Sequence, residues 1–190
     1  MAGGIDAWYH GIMQTDAVGD IPAVLDASFW NVAFGVRVEV YLRRFFRLTV
    51  PRTVSREIER AGLAASAEGF RIWKDAGLVQ RADPDGDWPT RWGPDRFAGK
   101  GERDVLLLVR EQRGAVALIN EAPARHLGTA HGLMVLDVPS FVGLAVDRRI
   151  MPWAAGWAAL DRIEEGNRTA RSLINTGREL LIVLYHKGVR

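Results

Sequence analysis

The sequence contains no cysteine. That absence excludes disulfides, thiolate zinc sites, iron–sulfur clusters and a cysteine nucleophile. Lysine is scarce. Only Lys74, Lys100 and Lys187 occur, so the positive charge falls to arginine, whose planar guanidinium suits paired recognition of phosphate and carboxylate. Neither sign of charge dominates: 25 Lys and Arg stand against 23 Asp and Glu, for a formal charge of +2. A balance that small does not by itself argue for nucleic acid. Long apolar runs are missing too. The longest, Val105–Val109 and Leu180–Tyr185, fall far short of the ~18–20 residues that cross a membrane. The opening residues, MAGGIDAWYHG, have no basic start and no long apolar stretch, so no secretory signal is expected and a cytoplasmic location is the default. The nucleotide-cradling patterns GxGxxG and GxxxxGK[ST] are absent, as is the GxSxG elbow of serine hydrolases.

What is present is an ordinary globular balance, 48% hydrophobic and 25% charged over 190 residues. That length suggests one domain. Residues 1–20 read as a weakly patterned N-terminal extension, 21–165 as the domain, and 166–190 as a C-terminal helical extension. Short apolar runs suggest strands at Pro22–Leu25, Leu48–Val50, Leu78–Gln80, Ala115–Ile119 and Leu133–Leu136. Helical patterns lie between and after them: Ser28–Phe34, Glu39–Phe46, Thr53–Ala67, Glu68–Asp75, Glu102–Arg113, Ala122–His131, Pro139–Val146, Trp153–Glu165 and Asn167–Tyr185. A turn-rich loop spans Asp83–Gly101. Buried strands alternating with helices predict an α/β fold, a mainly parallel sheet between two helical layers.

In such a sheet, ligands bind beyond the carboxyl ends of the strands. The first strand ends in Asp26, with Ser28 two residues on, and Ala115–Ile119 runs into Asn120-Glu121. Glu57 and Glu102 lie near the starts of helices that follow loops. Four acidic groups from separate segments are thus placed to converge. Each also has a structural explanation, as a turn former, a helix cap or a dipole partner worth ~0.3–1 kcal/mol. Together they suit a hard divalent ion, because like charges ~4 Å apart repel by about 4 kcal/mol at an effective dielectric of ~20 and need a cation or raised pKa values.

Other signals carry less. DPDGD at 83–87 lacks the closing glutamate of a calcium loop, with Pro94 in its place. Asp26-Ala27-Ser28 lacks the second Asp of phosphoryl-transfer enzymes that use an aspartyl nucleophile. His126 and His131 are poorly spaced to share a metal. Trp88 and Trp92 fit either base stacking or anchorage of their loop, with anchorage favoured. RVEVYLRRFFR at 37–47 fits a partner surface, where aromatics and arginine are enriched.

The order VLDAS, VPRTVSREIER, GERDVLLL, ALINEAPAR, GLMVLDVPSFVGLAVDRRIM resembles the PIN-domain ribonucleases, in particular the prokaryotic VapC-like toxin branch, over about residues 22–165. The resemblance rests on the order and spacing of short motifs. It implies a three-layer α/β/α sandwich and an RNA endonuclease that uses Mg²⁺ or Mn²⁺ held by Asp26, Glu57, Glu102 and Glu121. Ser28 would position a ligand or water, and Arg125 would face a phosphate or neutralise the carboxylates. It further implies RNA as substrate, an antitoxin protein as partner, and a homodimer built on the early arginine-rich region. Two departures stand out. Asn120 occupies a position where the family more often has an acid, though Asn can still offer an oxygen. The helix after Gly101 carries both Glu102 and Asp104, which point to different sides; Glu102 is the expected site residue and Asp104 the reserve. Asn120 motivates an alternative, a catalytically weakened PIN-fold module that binds RNA or protein without cutting. A weaker third reading is a hydrolase acting on a small phosphorylated metabolite.

Overall fold

Five short strands among the described residues set the frame: β1 Ile21–Leu25, β2 Phe46–Val50, β3 Val79–Arg81, β4 Val116–Leu118 and β5 Met134–Leu136. The structure is a computed structural model that describes residues 19–92, 99–166 and 169–189. All neighbouring strands pair in parallel, in the order β3-β2-β1-β4-β5. Ala23, Val24 and Leu25 of β1 and all of β4 are fully buried. Successive strand residues point to opposite faces, so burial of consecutive residues means that both faces of the central strands are covered. The fold is α/β, with a parallel sheet flanked by helices. From β1 the chain builds outward through β2 to β3, then returns to lay β4 on the other side of β1. The carboxyl ends of β1 and β4 therefore form the point where the direction of winding switches, the usual ligand crevice of such sheets.

Eight α-helices lie among the described residues: α1 Ala27–Gly35, α2 Arg52–Arg60, α3 Ala64–Asp75, α4 Lys100–Glu111, α5 Ala122–Ala130, α6 Val138–Asp147, α7 Trp153–Glu165 and α8 Arg171–His186. α4 packs on β1 and β4, while α1 meets α2, α3 and α6. Trp30 fixes α1: it is fully buried, sits edge-on to Phe70 at 5.4 Å, and donates from Nε1 to the Ser66 carbonyl at 3.1 Å. Removing so large a core side chain costs ~3–5 kcal/mol, so the helix that follows Asp26 is rigidly placed. α8 buries Ile174, Leu181 and Leu184 against α6 and α7, and Trp153 donates to the Leu181 carbonyl at 2.8 Å.

Three sequence expectations are corrected. Glu39–Phe46 is not an α-helix. Glu39–Arg44 forms a 3₁₀ segment and the chain is already strand at Phe46, because Phe46 and Leu48 are buried while Arg47 is exposed, the period of two that a strand requires. The helix expected over Thr53–Ala67 breaks at Gly62, whose φ of 70° ends α2 and lets α3 begin at Ala64. The helix expected from Asn167 begins at Arg171, and residues 167 and 168 lie outside the described residues. So do 1–18 of the expected N-terminal extension and 93–98 of the long loop.

The rest of that loop is anchored, as the sequence favoured. Trp92 is only 5% exposed, stacks on His131 at 5.0 Å and meets Trp88 edge-on at 5.1 Å. The guanidinium of Arg103 lies over Trp88 at 5.3 Å.

Candidate active site

The winding switch between β1 and β4 opens into a pocket of about 200 Å³ whose walls include Asp26, Ser28, Glu57, Gly99, Glu102 and Glu121. The four carboxylates picked out in the sequence thus reach one cavity from four segments: the end of β1, the middle of α2, the first turn of α4 and the residue before α5. Asp26 is 1% exposed. Its Oδ2 accepts both the backbone N–H of Ser28, at 2.8 Å, and the Ser28 hydroxyl, capping α1. The Ser28 oxygen in turn accepts the Asn120 backbone N–H at 3.1 Å, and the Asp26 N–H donates to the Leu118 carbonyl at 3.0 Å. These bonds stitch the ends of β1 and β4 together and hold the carboxylate on the pocket floor.

Glu57 arrives from α2 and accepts the backbone N–H of Gly101. A Cβ at position 101 would collide with the Glu57 carboxylate, so glycine here leaves room for that carboxylate against the start of α4. Glu102 occupies the first turn of α4. Glu121 holds the N-cap position of α5 but makes no capping bond with its side chain, which leaves its carboxylate for the pocket.

The electrostatics are unbalanced. Burial pushes the Asp26 carboxyl up to about 7 from its ordinary 3.8, and the charges of Glu102 and Glu57 add to the effect against the opposing Ser28 hydrogen bonds. Glu57 is likewise raised, by burial first and then by Glu102. Among the described residues, none of the four pocket carboxylates has an ion-pair partner. A hard-oxygen donor set left uncompensated in a pocket of this size suits Mg²⁺ or Mn²⁺. Among the described residues, no three His, Asp or Glu side chains are grouped so as to hold one ion between them. Mg²⁺ needs only one or two carboxylates beside waters and substrate phosphates, so the pocket meets that requirement.

The other sequence candidates lie elsewhere. Arg125 donates to Asp137 at 2.6 Å, both side chains nearly buried; it is bound to a carboxylate outside the pocket, one the sequence reading did not single out. Asp137 follows β5 and caps α6 by accepting from the Ser140 N–H at 2.9 Å, and its place directly after an apolar run was the available signal. Asn120 is 6% exposed and structurally engaged. Its Nδ2 donates to Thr169 at 2.8 Å and its Oδ1 accepts from the Val138 N–H at 3.4 Å. Asp104 accepts the Thr53 hydroxyl at 2.7 Å; its charge reaches Glu57, but it does not line the pocket with Glu102.

No family model and no curated protein matches the chain. Among solved structures it is similar to one described as "Structure of the PIN domain endonuclease Utp24", at 14% identity and a TM-score of 0.47, over 62% of this chain and 84% of that one.

Proposed function

We propose that the chain is an RNA endonuclease of the PIN type that depends on Mg²⁺ or Mn²⁺. One observation carries the reading: four carboxylates distant in sequence line a single pocket at the winding switch, with no ion-pair partner among the described residues. Asp26, Glu57, Glu102 and Glu121 would hold the ion. When bound, such an ion supplies an acidified water and charge stabilisation at phosphorus, so no side-chain nucleophile is needed. Asp26 anchors the set, because its backbone is tied to β4 and its Oδ2 is fixed by Ser28. Ser28 keeps that carboxylate aimed and leaves the other oxygen to the pocket. Glu57, held by the Gly101 N–H, closes the side facing α2.

On the same reading the chain is the toxin of a toxin–antitoxin pair, an antitoxin protein is its partner, and it acts in the cytoplasm as a homodimer. The sequence resemblance supports these roles. For the dimer, Val40 adds support: it is 49% exposed beside the exposed Arg37, Arg43, Arg44 and Arg47. Incubation of labelled single-stranded RNA with the purified chain and Mn²⁺ tests the activity. Cleavage that needs the metal and disappears in Asp26→Asn is the expected result. RNA that is bound and never cut would replace the nuclease with the binding module that Asn120 suggests.

A further inference from the structure

Beside the carboxylate pocket lies a second one of opposite sign. It has a volume of about 450 Å³ and is lined by Thr53, Arg56, Glu57, Arg60, Ala61 and Lys100. Glu57 belongs to both, so the two cavities adjoin at one side chain. Arg56 and Arg60 are four residues apart on α2, and side chains at that spacing share a helix face, with Cβ atoms ~5–6 Å apart. Lys100 faces them from the start of α4. All three are exposed, and among the described residues none makes an ion pair. Arg52, one turn earlier on the same face, is instead bound to Asp83 at 3.3 Å. Glu59 on the same helix is bound to Lys74. Among the described residues, the cations of α2 that border the site are the ones left without a carboxylate.

The geometry points to a phosphate subsite: Arg56, Arg60 and Lys100 hold the phosphodiester next to the one in the carboxylate pocket, so that the nucleic-acid strand leaves across the α2–α4 side. This rests on the nuclease reading above and adds a direction to it. The change of sign is what a strand of phosphates needs there. A phosphate over four carboxylates is tolerated only with bound cations, whereas a phosphate one step away meets three positive side chains. Arginine forks grip phosphate oxygens in pairs and lysine adds a point charge. On the opposite side the pocket is walled by Pro123 and Ala124, and Arg125 is bound to Asp137.

The test is read by binding, with EDTA present and with the Asp26→Asn chain, so it does not depend on cleavage. Fluorescence anisotropy of a labelled single-stranded RNA oligonucleotide is measured against salt for three proteins: Asp26→Asn alone, with Arg56→Ala/Arg60→Ala added, and with Arg113→Ala/Arg149→Ala added. The last pair removes two exposed arginines at the amino end of the sheet, remote from the pocket. Each phosphate contact on a single strand contributes ~0.7 to the slope of log affinity against log salt. Loss of Arg56 and Arg60 is expected to weaken binding and flatten that slope by about 1.4, with the remote pair leaving both unchanged. Equal losses in the two double variants, no loss at Arg56/Arg60, or no binding by the parent would overturn the subsite. Failure of the wild-type chain to cut RNA with Mn²⁺ would sink the nuclease reading separately.

Discussion

Asp26 and Asp137 occupy the same kind of place and have opposite surroundings. Each directly follows a strand, is buried, and caps the next helix through a backbone N–H two or three residues on. Asp137 faces Arg125 at 2.6 Å, and its charge is answered by a guanidinium. Asp26 faces Glu57 and Glu102, and its carboxyl is pushed up to about 7. Local capping alone requires no hostile field, as Asp137 shows by doing the job while paired with Arg125. The difference is one of electrostatic surroundings, and it is the contrast on which the proposed role of Asp26 rests.

Breaking the comparison at each end gives the largest effects. Asp26→Asn retains the helix cap, since Asn caps as well as Asp, and should lower metal-dependent RNA cleavage by at least about a thousandfold, ~4 kcal/mol of barrier. Asp137→Asn should leave the metal dependence of cleavage intact but cost about 3 kcal/mol of stability in urea unfolding, because Arg125 is left as a nearly buried charge without its partner. The pH dependence sharpens the contrast. Asp26 holds its proton more tightly folded, at about 7, than at its ordinary 3.8. Its contribution to stability is therefore complete below about pH 4 and is lost as pH rises through about 7. Without metal, Asp26→Asn should be more stable than wild type at pH 8, by at most about 4 kcal/mol, and should lose that advantage by pH 4. Unfolding curves at the two pH values decide it, and an advantage independent of pH would remove the burial argument. Smaller still is Gly101→Ala, whose added methyl displaces the Glu57 carboxylate. That carboxylate ends a flexible side chain and can swing aside, so stability should change by less than about 1 kcal/mol, while Mn²⁺ binding, measured by calorimetry, should weaken.

Much of the frame is legible in the sequence because buried parallel strands are short apolar runs, and two of those runs end at residues beside the carboxylate pocket. Asp26 and Asn120-Glu121 declare themselves as polar residues directly after β1 and β4. Glu102 falls in the first turn of its helix, as the sequence suggests, whereas Glu57, expected near a helix start, sits in the middle of α2. What hides is whatever depends on distant partners. Arg125 sits twelve residues from Asp137, and only the pairing of β4 with β5 brings the two together. Asn120 stands where the resembled family more often has an acid, and only the fold shows that Thr169 and the Val138 N–H bond its amide. Residues 39–46 mislead because a 3₁₀ turn running into a strand mimics a helix when arginines and apolar residues mix. The break at Gly62 was signalled by a glycine inside an alanine-rich run, but a single glycine in a helical pattern is often tolerated.

On the proposed function, the carboxylate pocket takes a divalent cation and Asp26 anchors it. Thermal unfolding of the wild-type chain and of Asp26→Asn across a Mn²⁺ titration at pH 7.5 tests this without any substrate. With Mn²⁺ at a hundred times its Kd, mass action should raise the wild-type Tm by roughly 5–10 °C and leave Asp26→Asn unmoved. A flat wild-type response, or an equal rise in both proteins, would contradict the account.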